Sequence, residues 1–153
     1  MSTPKTAPSV VVTHRYAASA ERVFDAFLDV KVARRFLFAT PGGEMIIAEI
    51  DPREGGRFEF TERRPEMGDV RHVGEYLEID RPRRLVFSFG VPQLDPRMTT
   101  VTIEIRREGN GCELTLTHQG VPGEYLERNR DGWSRILASL LPAYEGQQAA
   151  GWR

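Results

Sequence analysis

The sequence predicts an α+β domain in which a curved antiparallel sheet of about seven strands wraps one long C-terminal helix. Apolar residues recur at helical spacing in two short stretches after residue 19 and in one long stretch after residue 124. Between them, over residues 45–119, the apolar period falls to two, and the runs are separated only by turn residues. Strands joined by short turns pair as an antiparallel meander whose apolar face must be covered by another layer.

The elements follow in order. Residues 10–16 (VVVTHRY) are β-branched and aromatic, a first strand with Val10, Val12, His14 and Tyr16 on one face. Ser19 caps a short helix, with Glu21 in its first turn and Val23, Phe24, Phe27 and Leu28 at helical spacing. Val32 and Phe36 continue a second helical piece, with Lys31, Arg34 and Arg35 outward, and Pro41-Gly42-Gly43 ends it. Six strands come next, at residues 45–50, 57–64, 70–79, 84–90, 98–107 and 112–119. Phe58 and Phe60 share a face of the second of these, Leu85, Phe87 and Phe89 of the fourth, and Leu114, Leu116 and His118 of the last. Val101, Ile103 and Ile105 share a face of the fifth, and Gly109-Asn110-Gly111 is a hairpin signal before the sixth.

The final segment, residues 124–141, reads as one helix. Trp133, Ile136, Leu137, Leu140 and Leu141 form its apolar stripe, and Glu124–Arg128 and Asp131–Arg135 are i,i+4 charge pairs. Gly132 inside it costs about 1 kcal/mol relative to alanine and leaves room for a close neighbour or a ligand. Pro142 ends or kinks the helix near Leu141. The domain is expected over residues 10–145, with a disordered tail at 1–9 and a C-terminal tail at 146–153.

The chain of 153 residues fits one domain with a core of its own. The formal net charge of -1 is unlike that of a nucleic-acid binder, and Arg81, Arg83 and Arg84 flank Pro82 in a solvated turn. No stretch approaches the roughly 20 apolar residues of a membrane span. Residues 1–9 (MSTPKTAPS) lack the apolar core of a secretory signal, and Cys112 is the only cysteine, so a reducing cytoplasmic setting is expected. No His or carboxylate spacing suits a metal, and neither Gly55-Gly56 nor residues 109–111 stand in a phosphate-loop context, so no metal and no cofactor are expected.

Four of these stretches, AERVFDAFLD, DPREGGRFEF, GEYLEIDRPRRLVFSF and TVTIEIRREGNGCELTLTHQGVP, together with Gly132-Trp133 in the last helix, carry a resemblance. In order and spacing the chain resembles the START-like (SRPBCC, helix-grip) superfamily from about residue 10 to residue 144. Within it, the resemblance is to stand-alone bacterial proteins related to the C-terminal domain of the heat-shock-chaperone ATPase activator. It implies a sheet gripping the last helix around a cavity for a hydrophobic molecule, lipid-like, polyketide-like or aromatic. It also raises a chaperone partner and a stress-response role. Such bacterial proteins lack the activator's separate N-terminal chaperone-binding module, and this chain is expected to have no room for it. Where such proteins often carry a tryptophan in the second short helix, this sequence has Arg35-Phe36.

The expected ligand-binding set is Phe36, Phe38, Phe58, Phe60, Tyr76, Phe87, Phe89, Met98, His118, Trp133 and Leu137. The same aromatics also serve as ordinary core. Strict alternation puts Glu75 on the inner face with Val73, Leu77 and Ile79, whereas the resemblance implies Tyr76 there, which a bulge reconciles. Three functions compete. One is a small-molecule binding module with Tyr76 and His118 as polar contacts. Another is a cyclase- or hydrolase-type enzyme using His118, Tyr76 or Glu75 for proton transfer. The third is a protein-interaction domain, a chaperone cofactor or homodimer.

Overall fold

The computed structural model describes residues 9–150, with side chains through residue 146. The expected N-terminal tail lies outside the described residues except for Ser9, as do residues 151–153 of the expected C-terminal tail. The chain runs β1 (Ser9–Tyr16), α1 (Ala20–Leu28), α2 (Val30–Phe36), β2 (Glu44–Ile50), β3 (Arg57–Arg64), β4 (Gly68–Asp80), β5 (Arg84–Phe89), β6 (Thr99–Glu108) and β7 (Gly111–Gln119). A 3₁₀ turn (Gly123–Tyr125), α3 (Leu126–Ala138) and α4 (Leu140–Ala150) complete it. The α+β class, the seven strands and the gripped C-terminal helix agree with the expectation.

All seven strands form one antiparallel sheet in the order β1-β7-β6-β5-β4-β3-β2. The meander β2 to β7 is joined by short turns except for the longer β5–β6 loop at residues 90–98, while β1 joins the far edge beside β7. Ser19 Oγ accepts the Arg22 N–H at 3.1 Å, and Asp29 Oδ1 accepts the Lys31 N–H at 3.0 Å, so each short helix begins on its own side-chain cap. Val23, Phe24, Phe27, Val32 and Phe36 then turn inward.

A bulge between Tyr76 and Glu78 settles the inner face of β4. Val70, His72, Gly74 and Tyr76 alternate inward, so Glu75 lies on the outer face, where its N–H meets Ser88 Oγ at 3.0 Å. Tyr76 pairs with Phe87 and Ile79 with Leu85, and the extra residue, Leu77, is half exposed. Gly74 sits where an added Cβ would strike the Ser88 carbonyl and the Phe58 ring, so only glycine lets β4 lie this close to its neighbours.

The last helix differs from the single rod expected over residues 124–141. Its first turn is 3₁₀, and it breaks at Ser139, three residues before Pro142. Pro142 is the third residue of α4, and with no N–H it cannot continue the ladder to the Ala138 carbonyl. The Ser139 N–H is shared between the Arg135 and Ile136 carbonyls at 3.1 Å each. Helix resumes through Ala150, past residue 145 where the domain was expected to end, and α4 packs on α2. The Glu124–Arg128 and Asp131–Arg135 pairs do not close among the described residues. Arg81 instead holds Asp25 of α1 at 2.7 Å, Arg83 pairs with Asp80, and Arg84 bridges Glu78 and Glu104, which neutralises the basic turn. Among the described residues no helix is long and apolar enough to cross a membrane.

Tyr16, buried at the end of β1, donates its hydroxyl to the Leu137 carbonyl at 2.7 Å and so ties the last turn of α3 to the sheet edge. Tyr16→Phe is expected to lower unfolding stability by about 1 kcal/mol, read from urea midpoints at constant slope, because one buried hydrogen bond is lost with little change in packing.

Candidate functional site

The space between sheet and helices is filled at one end and open at the other. At the filled end Phe24, Phe27, Phe36, Phe60 and Leu137 are wholly buried. Phe36 meets Phe27 edge-on, with centroids 5.4 Å apart. The gap that Phe27, Leu37, Phe58, Tyr76, Leu85 and Phe87 enclose is about 10 Å³, apolar and no larger than one water. At the open end lies a cleft of about 750 Å³ between the ends of β4, β5 and β7, the β5–β6 loop and the cleft-facing side of α3. Phe38, His72, Phe89, His118 and Trp133 line its inner part.

Phe38 is the partition between the two. Its ring contacts Phe58 and Phe60 on the core side and Phe89, Trp133 and His72 on the cleft side, at centroid distances of 4.6 to 6.3 Å. Its φ of 62° is strained for an aromatic residue. A buried carboxylate holds it there. Glu62, only 1% exposed, accepts the Thr40 N–H and Thr40 hydroxyl at 2.7 Å each, and the Arg64 Nε–H at 2.7 Å. Arg64 Nη2 also donates to the Phe38 carbonyl at 3.4 Å. An added Cβ at Gly43 would strike the Glu62 carboxylate, so glycine is required there.

His118 is 2% exposed and engaged at both nitrogens. The Trp133 Nε1–H, which can only donate, points at His118 Nδ1 at 3.0 Å. Nδ1 is therefore the lone-pair nitrogen, and Nε2 carries the proton toward Thr99 Oγ1 at 2.7 Å. The Thr99 hydroxyl passes its own hydrogen to the Phe89 carbonyl at 2.9 Å. Asn129 lies 3.1 Å from Nδ1 and meets that lone pair favourably only through its NH₂ edge. Desolvation pushes the His118 pKa down to about 4.

His72 is 6% exposed and lies parallel to Phe38 at 4.6 Å. Its Nδ1–H donates to the Phe60 carbonyl at 3.0 Å. Desolvation pushes its pKa to about 4 as well, and the nearby Arg64 guanidinium lowers it further, while the bond to Phe60 and the Glu62 carboxylate oppose the shift. Around the mouth stand Met67, Leu94 and Tyr125, each about half exposed or more. Asp95 and Arg97 pair with each other there, and Glu124, Arg128 and Arg135 are also at the rim. Gly132 lies on the α3 wall, and an added Cβ would meet nothing within 4 Å.

Of the eleven residues expected to line a pocket, Phe38, Phe89, His118 and Trp133 border the cleft. Phe36, Phe60 and Leu137 are core instead, because they face the filled end where α1, α2 and α3 converge on the sheet. Phe58, Tyr76 and Phe87 surround the 10 Å³ gap. Met98 is 49% exposed, because Thr99 and Val101 alternate inward and put the preceding residue outside, where its sulfur covers Gly90. Glu62, Arg64, Thr40 and Thr99 are not among the residues expected from the sequence, and His72 had no expected role. Period two would have found Glu62 beside Phe58 and Phe60, and His72 beside Tyr76. Among the described residues no three His, Cys, Asp or Glu side chains gather to hold a metal.

A family model described as "Activator of Hsp90 ATPase homolog 1-like protein" matches residues 17–144. No curated protein sequence matches the chain. Among solved structures, one from Chromobacterium violaceum is similar at 23% identity and a TM-score of 0.76, over 86% of this chain and 93% of the other. An AHSA1-like protein from Aeromonas hydrophila is similar at 20% identity and a TM-score of 0.76, over 95% of this chain and 96% of the other. These two likenesses show the fold. An HSP90 activator from Plasmodium falciparum is similar at 27% identity and a TM-score of 0.65, over 86% of this chain and 91% of the other.

The two depressed histidines set a pH dependence. Both titrate near 4 in the native state and near the ordinary 6.5 when unfolded, so the unfolded chain binds more protons between those values. Their contribution is complete above the unfolded pKa and is lost as pH falls toward 4. By pH 4 the loss is expected to be about 2 to 3 kcal/mol for each histidine. Urea unfolding between pH 7 and 4 measures it, and replacing either residue by asparagine should reduce the slope by up to about one proton.

Proposed function

The chain belongs to the Activator of Hsp90 ATPase homolog 1-like family, and from that premise we propose that it binds a small, largely apolar molecule in the cleft between the sheet and α3. The observation that carries this is the contrast in packing. The same interior that closes to about 10 Å³ beneath Phe38 opens to about 750 Å³ beyond it. That volume lies within the range of small-molecule sites, and such sites combine apolar walls with a few placed polar groups. Phe38, Phe89, Trp133 and Ile136 supply the apolar surface, and His72 and, nearer the mouth, Asn129 the polar points. A lipid-like, polyketide-like or aromatic molecule suits this lining.

Gly132 supports the same reading. A helix glycine costs about 1 kcal/mol relative to alanine. No neighbouring atom demands it here, so what its missing side chain leaves free is room in the cleft. The acid–base pair of the enzymatic reading is not assembled. Tyr76 lines the gap below Phe38, Glu75 is on the outer face, and the His118 lone pair already takes the Trp133 N–H.

A second reading, a chaperone-cofactor surface, draws on the likeness to the Plasmodium falciparum HSP90 activator and on the apolar side chains exposed at the rim, Met67, Leu94 and Tyr125. It predicts that a Met67→Ser, Leu94→Ser double variant loses affinity for a purified Hsp90-type chaperone, as measured by calorimetry. No heat of binding from the unsubstituted protein would end it.

For the cleft, 8-anilinonaphthalene-1-sulfonate is the probe. Its fluorescence should rise to saturation with one site per chain. At a probe concentration of 100 times Kd, unfolding stability should increase by about 2.7 kcal/mol. Gly132→Leu should fold at least as stably, since the helix gains propensity and the space is open, yet lose most probe affinity. A Gly132→Leu protein that binds the probe like the parent would place the site elsewhere.

A further inference from the structure

Among the described residues His72 is the one buried polar side chain of the cleft that retains an unused hydrogen-bonding atom. Its Nδ1 lies 3.0 Å from the Phe60 carbonyl, which can only accept, so the proton is on Nδ1 and Nε2 holds a lone pair. Among the described residues Nε2 has no hydrogen-bond partner, yet no fully buried side-chain nitrogen or oxygen is left without one. The residue is 6% exposed, so that small exposure includes Nε2, and the surface it borders is the cleft. Stacking on Phe38, with 7° between the planes, keeps the ring from turning away.

The other inner polar groups are engaged. Trp133, His118 and Thr99 donate in series to the Phe89 carbonyl, and Arg64 is held by Glu62. A molecule that covers the His72 lone pair with carbon removes it from water and offers nothing in exchange, whereas one that brings a donor restores the bond. Phe38 and Phe89 lie at 7° and 23° to the His72 plane, so flat rings in one orientation surround the acceptor.

We infer that His72 is the polar recognition residue of the cleft, and that its ligand is a flat, apolar molecule of the aromatic-alcohol class whose hydroxyl or N–H donates to Nε2. This rests on the small-molecule reading above and adds the donor and the residue that reads it.

A matched pair of probes tests it by calorimetry at neutral pH. 2-Naphthol and 2-methoxynaphthalene share one ring system and differ in the hydrogen on oxygen. The unsubstituted protein should bind 2-naphthol more tightly by on the order of tenfold. His72→Asn keeps an N–H for the Phe60 carbonyl and leaves no acceptor at the position of Nε2, since its own Oδ1 falls nearer the backbone, so its preference should vanish. His72→Gln, whose amide oxygen reaches toward the position of Nε2, should recover part of it. Because His72 is buried and the asparagine variant could unfold, ¹⁵N spectra of the unsubstituted protein give an independent readout. 2-Naphthol should move the His72 Nε2 resonance, and 2-methoxynaphthalene should not. Equal affinity for the two probes, or a preference that survives in His72→Asn, overturns the assignment and leaves the cleft standing. Failure of both probes to bind overturns the assignment and the cleft together.

Discussion

A single buried carboxylate decides where the core of this protein ends. Glu62 lies on the inner face of β3, in line with Phe58 and Phe60, where a third apolar side chain would have extended the core. A charge in that place is costly unless paired and hydrogen-bonded. Three bonds satisfy it, two from Thr40 and one from Arg64. They draw the segment after α2 against the sheet and hold Phe38 in a left-handed conformation that its side chain would not otherwise choose. The strained ring then caps the core and floors the cleft.

The far wall is pinned independently. The chain of donors from Trp133 through His118 and Thr99 to the Phe89 carbonyl joins α3, β7, β6 and β5 at the cleft end. Tyr16 ties the following turn of α3, at Leu137, to β1. With two successive turns attached, the C-terminal half of α3 stands off the sheet at a set distance, and the room between them is present before anything binds. Pre-formed sites of this kind lose less conformational entropy on association.

The two buried histidines are alike in exposure and in the direction of their pKa shifts, but not in what they offer. His118 has spent both nitrogens on the scaffold. His72 spends one on the Phe60 carbonyl and lines the cleft with the rest of its ring. The histidine that stands out in the sequence, beside Leu114 and Leu116, is thus a strut, while the one in a strand of mixed character faces the pocket.

Period-two and helical spacing were enough to determine the α+β class, the seven strands, the two short helices and the apolar stripe of Trp133, Leu137 and Leu140, because each depends on which residues share a face of one element. The inward position of Phe89, Trp133 and His118 was legible for the same reason. Which inward residues meet each other and which meet open space was not, because that depends on the distance between layers. Phe60 and Phe38 look equivalent in the sequence, yet one is sealed in core and the other floors the cleft. The break at Ser139 and the left-handed Phe38 are responses to packing against distant parts of the chain. Tertiary structure decided these, since a buried bond such as that from Thr40 to Glu62 joins residues 22 positions apart and leaves no local period to read.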